Sequence, residues 1–235
     1  MNNWNTPQRP AEYAEQSLVT AMLNHSFPPG SPLPGERTLA EQLGVTRPTL
    51  REAIQRLARD GWLTVQQGKS TMVNDFWQDG GMNVLSTLVH HRDHLPPDFV
   101  TNLLEIRRHL APAYTRAAVE RAPQAIQDRL KTAISLPDNA AAYAAFDWQL
   151  HRTLTIHSGN PIYTLILNGF TEFYDQIARK YFATSETRAR SRTFYTALKS
   201  AIQTHNSPLA EQITRQTMVE SIIFWQKMKQ NHDAS

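Results

Sequence analysis

The chain has 235 residues, 24 Lys and Arg against 21 Asp and Glu, and 40% hydrophobic residues. This length and apolar content suit one large domain or two modest ones and exclude a disordered chain. With no cysteine, disulfides, thiolate metal sites and cysteine nucleophiles are excluded; with no apolar signal core and no apolar run of about 18 residues, a cytoplasmic protein without a membrane segment is expected.

Residues 1–9 read as a loose tail. From Pro10 to about His25, Ala14, Leu18, Ala21 and Met22 recur at helical spacing and predict an amphipathic helix. The breaker-dense run from Phe27 to Gly35 is a loop. Glu36–Leu43 predicts a short helix with Leu39, Ala40 and Leu43 on one face, followed by a tight Gly44-Val45 turn. Thr46 can cap the next helix, and Pro48 is tolerated because first-turn amides have no intrahelical acceptor to lose. Leu50, Ala53, Ile54 and Leu57 form its apolar stripe, leaving Arg47, Thr49, Arg51 and Gln55 towards solvent or a ligand. Gly61 ends it. Trp62–Val65 and Ser70–Val73 then flank Gln67-Gly68-Lys69 as a small β-hairpin with glycine at the turn.

Helix, helix-turn-helix and hairpin make a winged helix-turn-helix over residues 1–74. The polar stretch 75–83, containing Gly80-Gly81, reads as a linker. Helical patterns follow near 84–90, 97–120, 123–135, 138–157, 161–182, 187–205 and 208–230, with breaks at Gly159-Asn160-Pro161 and His205–Pro208. The expected fold is therefore mainly α: an N-terminal winged helix-turn-helix with a β-hairpin wing, linked to a C-terminal all-helical bundle over 84–235.

Net charge is only +3, but its distribution is informative. Between 47 and 69, Arg47, Arg51, Arg56, Arg59 and Lys69 are set against only Glu52 and Asp60. Such a concentration suits phosphate binding, and a solvated charged face is the alternative. Arg47 and Arg51 lie one helical turn apart and can reach into one major groove. There arginine matches the O6/N7 edge of guanine, a good pair contributing roughly 1–3 kcal/mol of discrimination. Thr46 and Thr49 are short donors for phosphate oxygens. At the wing tip Gly68 lets the backbone approach a minor groove and Lys69 adds charge.

In the second half, Asp147 and His151 stand four apart on one helical face, which suits a metal, although a lone Asp–His pair is more often a hydrogen-bonded core pair. The basic group Arg179, Lys180, Arg188, Arg190, Arg192 and Lys199 reads either as a phosphate site or as a solvated face. No nucleophile motif, phosphate loop or complete metal set supports an enzyme.

The tract from Leu33 to Ala53, the run Arg56–Lys69, the segment Ser158–Gly169 and Tyr181-Phe182-Ala183 together resemble GntR-family transcription factors of the FadR subgroup. The resemblance covers nearly the whole chain. It implies a homodimer on a double-stranded DNA operator, with Arg37 as a further DNA contact and 84–235 as the effector-binding and dimerisation domain. It also implies a long-chain acyl-CoA effector in the bundle cavity, with Arg107, Tyr174, Tyr181, Glu220, Ser221 and Trp225 as effector-binding positions. Such a regulator represses fatty-acid degradation genes, activates unsaturated fatty-acid synthesis genes, and leaves DNA when acyl-CoA binds. It has no cofactor and is not an enzyme.

Many members of the wider subgroup instead hold a divalent metal through one Asp and three His. The subgroup's spacing puts the remaining ligand positions at Tyr195 and Thr217, neither a histidine. A metal-dependent repressor sensing a small organic acid through Asp147 and His151 is the runner-up. Four residues depart from the FadR pattern. Pro48 replaces a hydroxyl residue, Gln67 a histidine at the wing, Met218 a glycine beside the ligand path, and His151 an apolar aromatic of the cavity.

Overall fold

The computed structural model describes residues 9–89, 91 and 95–233; the expected tail lies outside them except for Arg9. Two compact units divide between Leu95 and Pro96.

In the first unit, α1 (Pro10–Leu23), α2 (Glu36–Leu43) and α3 (Arg47–Asp60) form where the apolar periodicity places them. Ala14, Leu18, Val19 and Met22 of α1 are buried, as are Leu50, Ala53, Ile54 and Leu57 of α3. Leu39 and Ala40 are the buried residues of α2, with Leu43 only half-buried. Gly44, in the left-handed region at φ 65°, turns the chain from α2 into α3. Thr46 Oγ1 accepts the Thr49 N–H at 3.3 Å, the expected N-cap.

The wing is smaller than the sequence suggests. Strands β1 (Leu63–Thr64) and β2 (Met72–Val73) pair antiparallel, with Leu63 opposite Val73 and Thr64 opposite Met72. The loop before α2 closes the other side of β2. Gly30 N–H donates to Val73 O, Val73 N–H to Ser31 O, and Leu33 N–H to Thr71 O, all within 2.8–2.9 Å. The residues read as linker pack inside this unit. Phe76 stacks 4.6 Å from Trp62, Asn83 Nδ2 donates to Asp60 Oδ1 at 3.0 Å, and α4 (Met82–Val89) buries Val84 and Leu88.

The second unit consists of α5 (Phe99–Arg121), α6 (Pro123–Lys131), α7 (Ala140–His157), α8 (Pro161–Asn168), α9 (Thr171–Tyr181), α10 (Ser185–Gln203) and α11 (Ser207–Asp233). Residues 132–135 continue α6 as a 3-10 turn. The pattern expected at 161–182 is two helices. Gly169, a poor helix former, closes α8, and the Thr171 hydroxyl donates to the Asn168 carbonyl at 2.7 Å. Helix α11 lies along α5 and α10, while α7 packs on α5, α6, α8 and α9. Its buried residues, from Tyr143 to Thr155, fill one half of its circumference, and packing against four other helices makes α7 the core helix. Among the described residues no helix is long and apolar enough to cross a membrane.

Candidate nucleic-acid interface and effector cavity

On the first unit, α3 buries its apolar stripe and turns its remaining residues outward. Arg47, Pro48 and Arg51 are exposed and Thr49 is half-buried. Arg37 is exposed on α2, and Gly68 and Lys69 are exposed at the wing tip, where Gly68 takes φ 75°. Thr46 and Thr49 share a 2.8 Å hydroxyl contact besides the cap. Arg51 is not idle: its Nη2 donates to Glu36 Oε2 at 2.6 Å and its Nε to Glu36 Oε1 at 3.3 Å. Hydrogen bonding from Arg51, ahead of the opposing effect of partial burial, holds the Glu36 carboxyl below its ordinary pKa. Arg56 pairs with Glu52 and Glu15, and Arg59 with Asp60, so part of the local positive charge is already neutralised.

Inside the second unit a cavity of about 130 Å³ opens between α5, α8, α9 and α11. Its wall is mostly apolar, with Leu103, Leu110, Phe170, Phe173, Ile177 and Phe182 among the lining residues. Its polar floor is built by α5 and α7. Arg107 and Tyr114, seven apart on α5, face Asp147 and His151, four apart on α7. Arg107 Nη2 donates to Asp147 Oδ2 at 2.7 Å, and the Tyr174 hydroxyl donates to the same oxygen. The Tyr195 hydroxyl donates to Asp147 Oδ1 at 3.2 Å. Tyr114 and His151 join through a 2.7 Å contact between the hydroxyl and Nδ1.

These contacts set the charges. Burial pushes the Asp147 carboxyl up, but the Arg107 charge and the hydrogen bonds from Tyr174 and Arg107 outweigh it and leave its pKa below normal. Burial and then Arg107 drive the His151 pKa down to about 3, so the imidazole is neutral. Burial first, then Asp147, raises Tyr174 and Tyr195, and burial raises Tyr181 to about 12, so all three remain phenols.

Of the effector positions implied by the resemblance, the cavity brings together Arg107, Tyr174, Tyr181, Ser221 and Trp225. Met218 also lines it, 3% exposed. Glu220 stands apart, bonded to Gln216 Nε2 at 3.0 Å and Arg190 Nη1 at 3.4 Å. Four of the six residues of the basic group are in ion pairs: Arg179 with Asp175, Arg188 and Arg192 with Asp138, Arg190 with Glu186 and Glu220. Arg188 also donates to the carbonyls of Phe182 and Ala183, closing the end of α9.

The donor set does not fit a metal. Asp147 and His151 do approach, with Nε2 3.7 Å from Oδ2, but both carboxylate oxygens accept from Arg107 and the two tyrosines. Tyr195 is a neutral phenol whose proton goes to Asp147, and the Thr217 hydroxyl donates to Ile213 O at 3.0 Å. Among the described residues no cluster of three or more His, Asp or Glu is placed to hold an ion. Tyr114 had no place among the expected site residues. Its helical phase with Arg107 was the available signal.

A winged helix-turn-helix joined to a helical domain with an internal apolar cavity defines a ligand-responsive class of DNA-binding protein. Residues 10–73 match the family described as bacterial regulatory proteins, gntR family, and residues 74–235 match the FadR C-terminal domain. The chain belongs to the GntR family, with a FadR-type C-terminal domain, and is a DNA-binding transcription regulator. A fatty acid metabolism regulator protein of Shewanella frigidimarina is 43% identical over 220 residues, 94% of this chain and 92% of the relative. One from Yersinia pseudotuberculosis is 43% identical over 222 residues, 94% and 93% of the two chains. The solved structure of Lar, which controls the Listeria monocytogenes agr system, is 16% identical with a TM-score of 0.57, covering 94% of this chain and 98% of Lar. It supports the fold alone.

Proposed function

We propose that the protein is a cytoplasmic, homodimeric regulator of fatty-acid metabolism that binds its operator when unliganded and is released by long-chain acyl-CoA. On this reading it represses degradation genes and activates unsaturated fatty-acid synthesis genes. The observation that carries the effector assignment is the apolar cavity of the second unit, whose floor presents one cation and several phenols. Apolar walls suit an acyl tail, and a few convergent polar groups suit the thioester end. Among the described residues that line it, Arg107 is the only Lys or Arg. The nucleotide phosphates would therefore be met outside the cavity, with Arg107 and the tyrosines left for the carbonyl.

Acyl-CoA can release the protein only by binding the arrangement that does not fit DNA more tightly than the one that does. Incubating the full chain with palmitoyl-CoA or oleoyl-CoA, then recording native mass spectra and gel shifts, tests this. A dimer carrying acyl-CoA and a lost retarded band are expected. A protein that takes up neither thioester overturns the effector assignment while leaving DNA binding intact.

A further inference from the structure

Base reading by Arg51 demands more than a positive charge in the groove. Guanine offers two acceptors in one plane, so the guanidinium must be presented in a fixed plane and orientation. Arg51 lies in the second turn of α3 with 61% of its side chain exposed, and an exposed arginine samples many rotamers. What restricts it is Glu36, the first residue of α2, whose backbone is fixed by the buried neighbours Leu39 and Ala40. The carboxylate takes Nε–H and one Nη2–H together, a two-pronged contact. That leaves the outer edge of the guanidinium, one N–H from each Nη, as the free planar pair of donors.

We propose that Glu36 is a positioning residue for sequence reading: it fixes the plane of the Arg51 guanidinium and aims its outer edge at the DNA base. The inference rests on the assignment of Arg51 as a base reader. It assigns to α2 a share in specificity without a DNA contact of its own at Glu36. A carboxylate on a phosphate-facing surface lowers affinity for any duplex, so retaining one there is costly to binding in general. Pre-ordering the fork offsets that cost only on the correct sequence, where bidentate geometry is used.

The test uses the full chain and two duplexes of equal length, one selected by the wild-type protein from a randomised pool and one of random sequence. The readout is the ratio of the two affinities at fixed salt. Glu36→Ala and Glu36→Gln are expected to lower that ratio about tenfold or more, while random-duplex affinity holds or rises. In the Arg51→Ala background, Glu36→Ala is expected to change the ratio no further. A thermal midpoint for each variant separates misfolding, which lowers both affinities together, from lost positioning. An unchanged ratio for both Glu36 variants, with Arg51→Ala collapsing it, overturns the positioning role and leaves Arg51 as a reader. An unchanged ratio for Arg51→Ala overturns both.

Discussion

The two units each hold an arginine gripped by a carboxylate, and the pairs differ in almost everything except chemistry. Arg51 and Glu36 keep 61% and 33% of their side-chain exposure, whereas Arg107 and Asp147 keep 23% and 8%. In the first pair water competes for both partners, so the contact contributes little to folding and its arginine can be lent to a ligand. In the second, three further hydroxyl or imidazole groups surround the ions, and removing one ion strands the other. One bond orients an arginine for use outside the protein; the other makes an arginine part of the interior.

The largest effect that would break this contrast is on stability. Asp147→Ala is expected to cost about 3–5 kcal/mol, because Arg107 is left without its counter-charge. Urea unfolding of the full chain reads it, and a loss below about 1 kcal/mol would make the buried pair no different from the exposed one. Replacing both partners, Arg107→Met with Asp147→Leu, is expected to restore most of the stability while leaving acyl-CoA binding weak.

Acid should separate the units next. The folded state holds His151 neutral with a pKa of about 3, against about 6.5 in the unfolded chain. The folded form thus binds fewer protons, and stability present above about pH 6.5 falls as the pH drops, by up to about 1.4 kcal/mol per unit. The lowered Asp147 pKa adds a loss in the same direction once the pH nears the ordinary carboxylate range. Unfolding followed from pH 7 to 4.5 should show the slope in the wild type and a flatter one in His151→Gln. Equal slopes would mean that His151 charges without penalty.

Arg51→Ala, by contrast, is expected to leave stability nearly unchanged. Calorimetry alongside the duplex measurements checks that its effect is confined to DNA. The smallest effect is at Thr46. Thr46→Ala loses the α3 cap and about 1 kcal/mol, while Thr46→Ser keeps both. A larger loss of operator binding than of stability would add DNA contact to its capping role.

Local signals explain what was legible in the sequence. The apolar stripe of α3, its Thr46 cap and the glycines at 44 and 61 act within one turn of themselves, and they appear where the pattern puts them. The break at Asn160-Pro161 is equally local, with Asn160 Oδ1 capping α8. Residues 75–83 were misleading for the opposite reason. Their polar, glycine-rich composition resembles a linker, yet Phe76 against Trp62 and Asn83 against Asp60 are tertiary contacts that composition does not encode.

The site followed the same division. Asp147 and His151 were visible as a pair because they share a helix, but the partner that decides their chemistry is forty positions away at Arg107. Tyr195 stood out only as a missing histidine, although its hydroxyl donates to Asp147. Glu36 and Arg51 lie fifteen positions apart on different helices, beyond any periodicity within one.

The strand-like segment beside the wing has a consequence for self-association. A two-stranded sheet with an open flank invites a strand from another chain. Here residues 30–33 cover that flank of β2, with Pro32 bridged to Met72 and Pro34 just beyond. Neither proline has an N–H to offer a further strand. The proline-rich stretch that looked like a mere connector therefore closes off edge-to-edge stacking on that side, so regulators crowded on neighbouring sites gain no route to fibre growth through it.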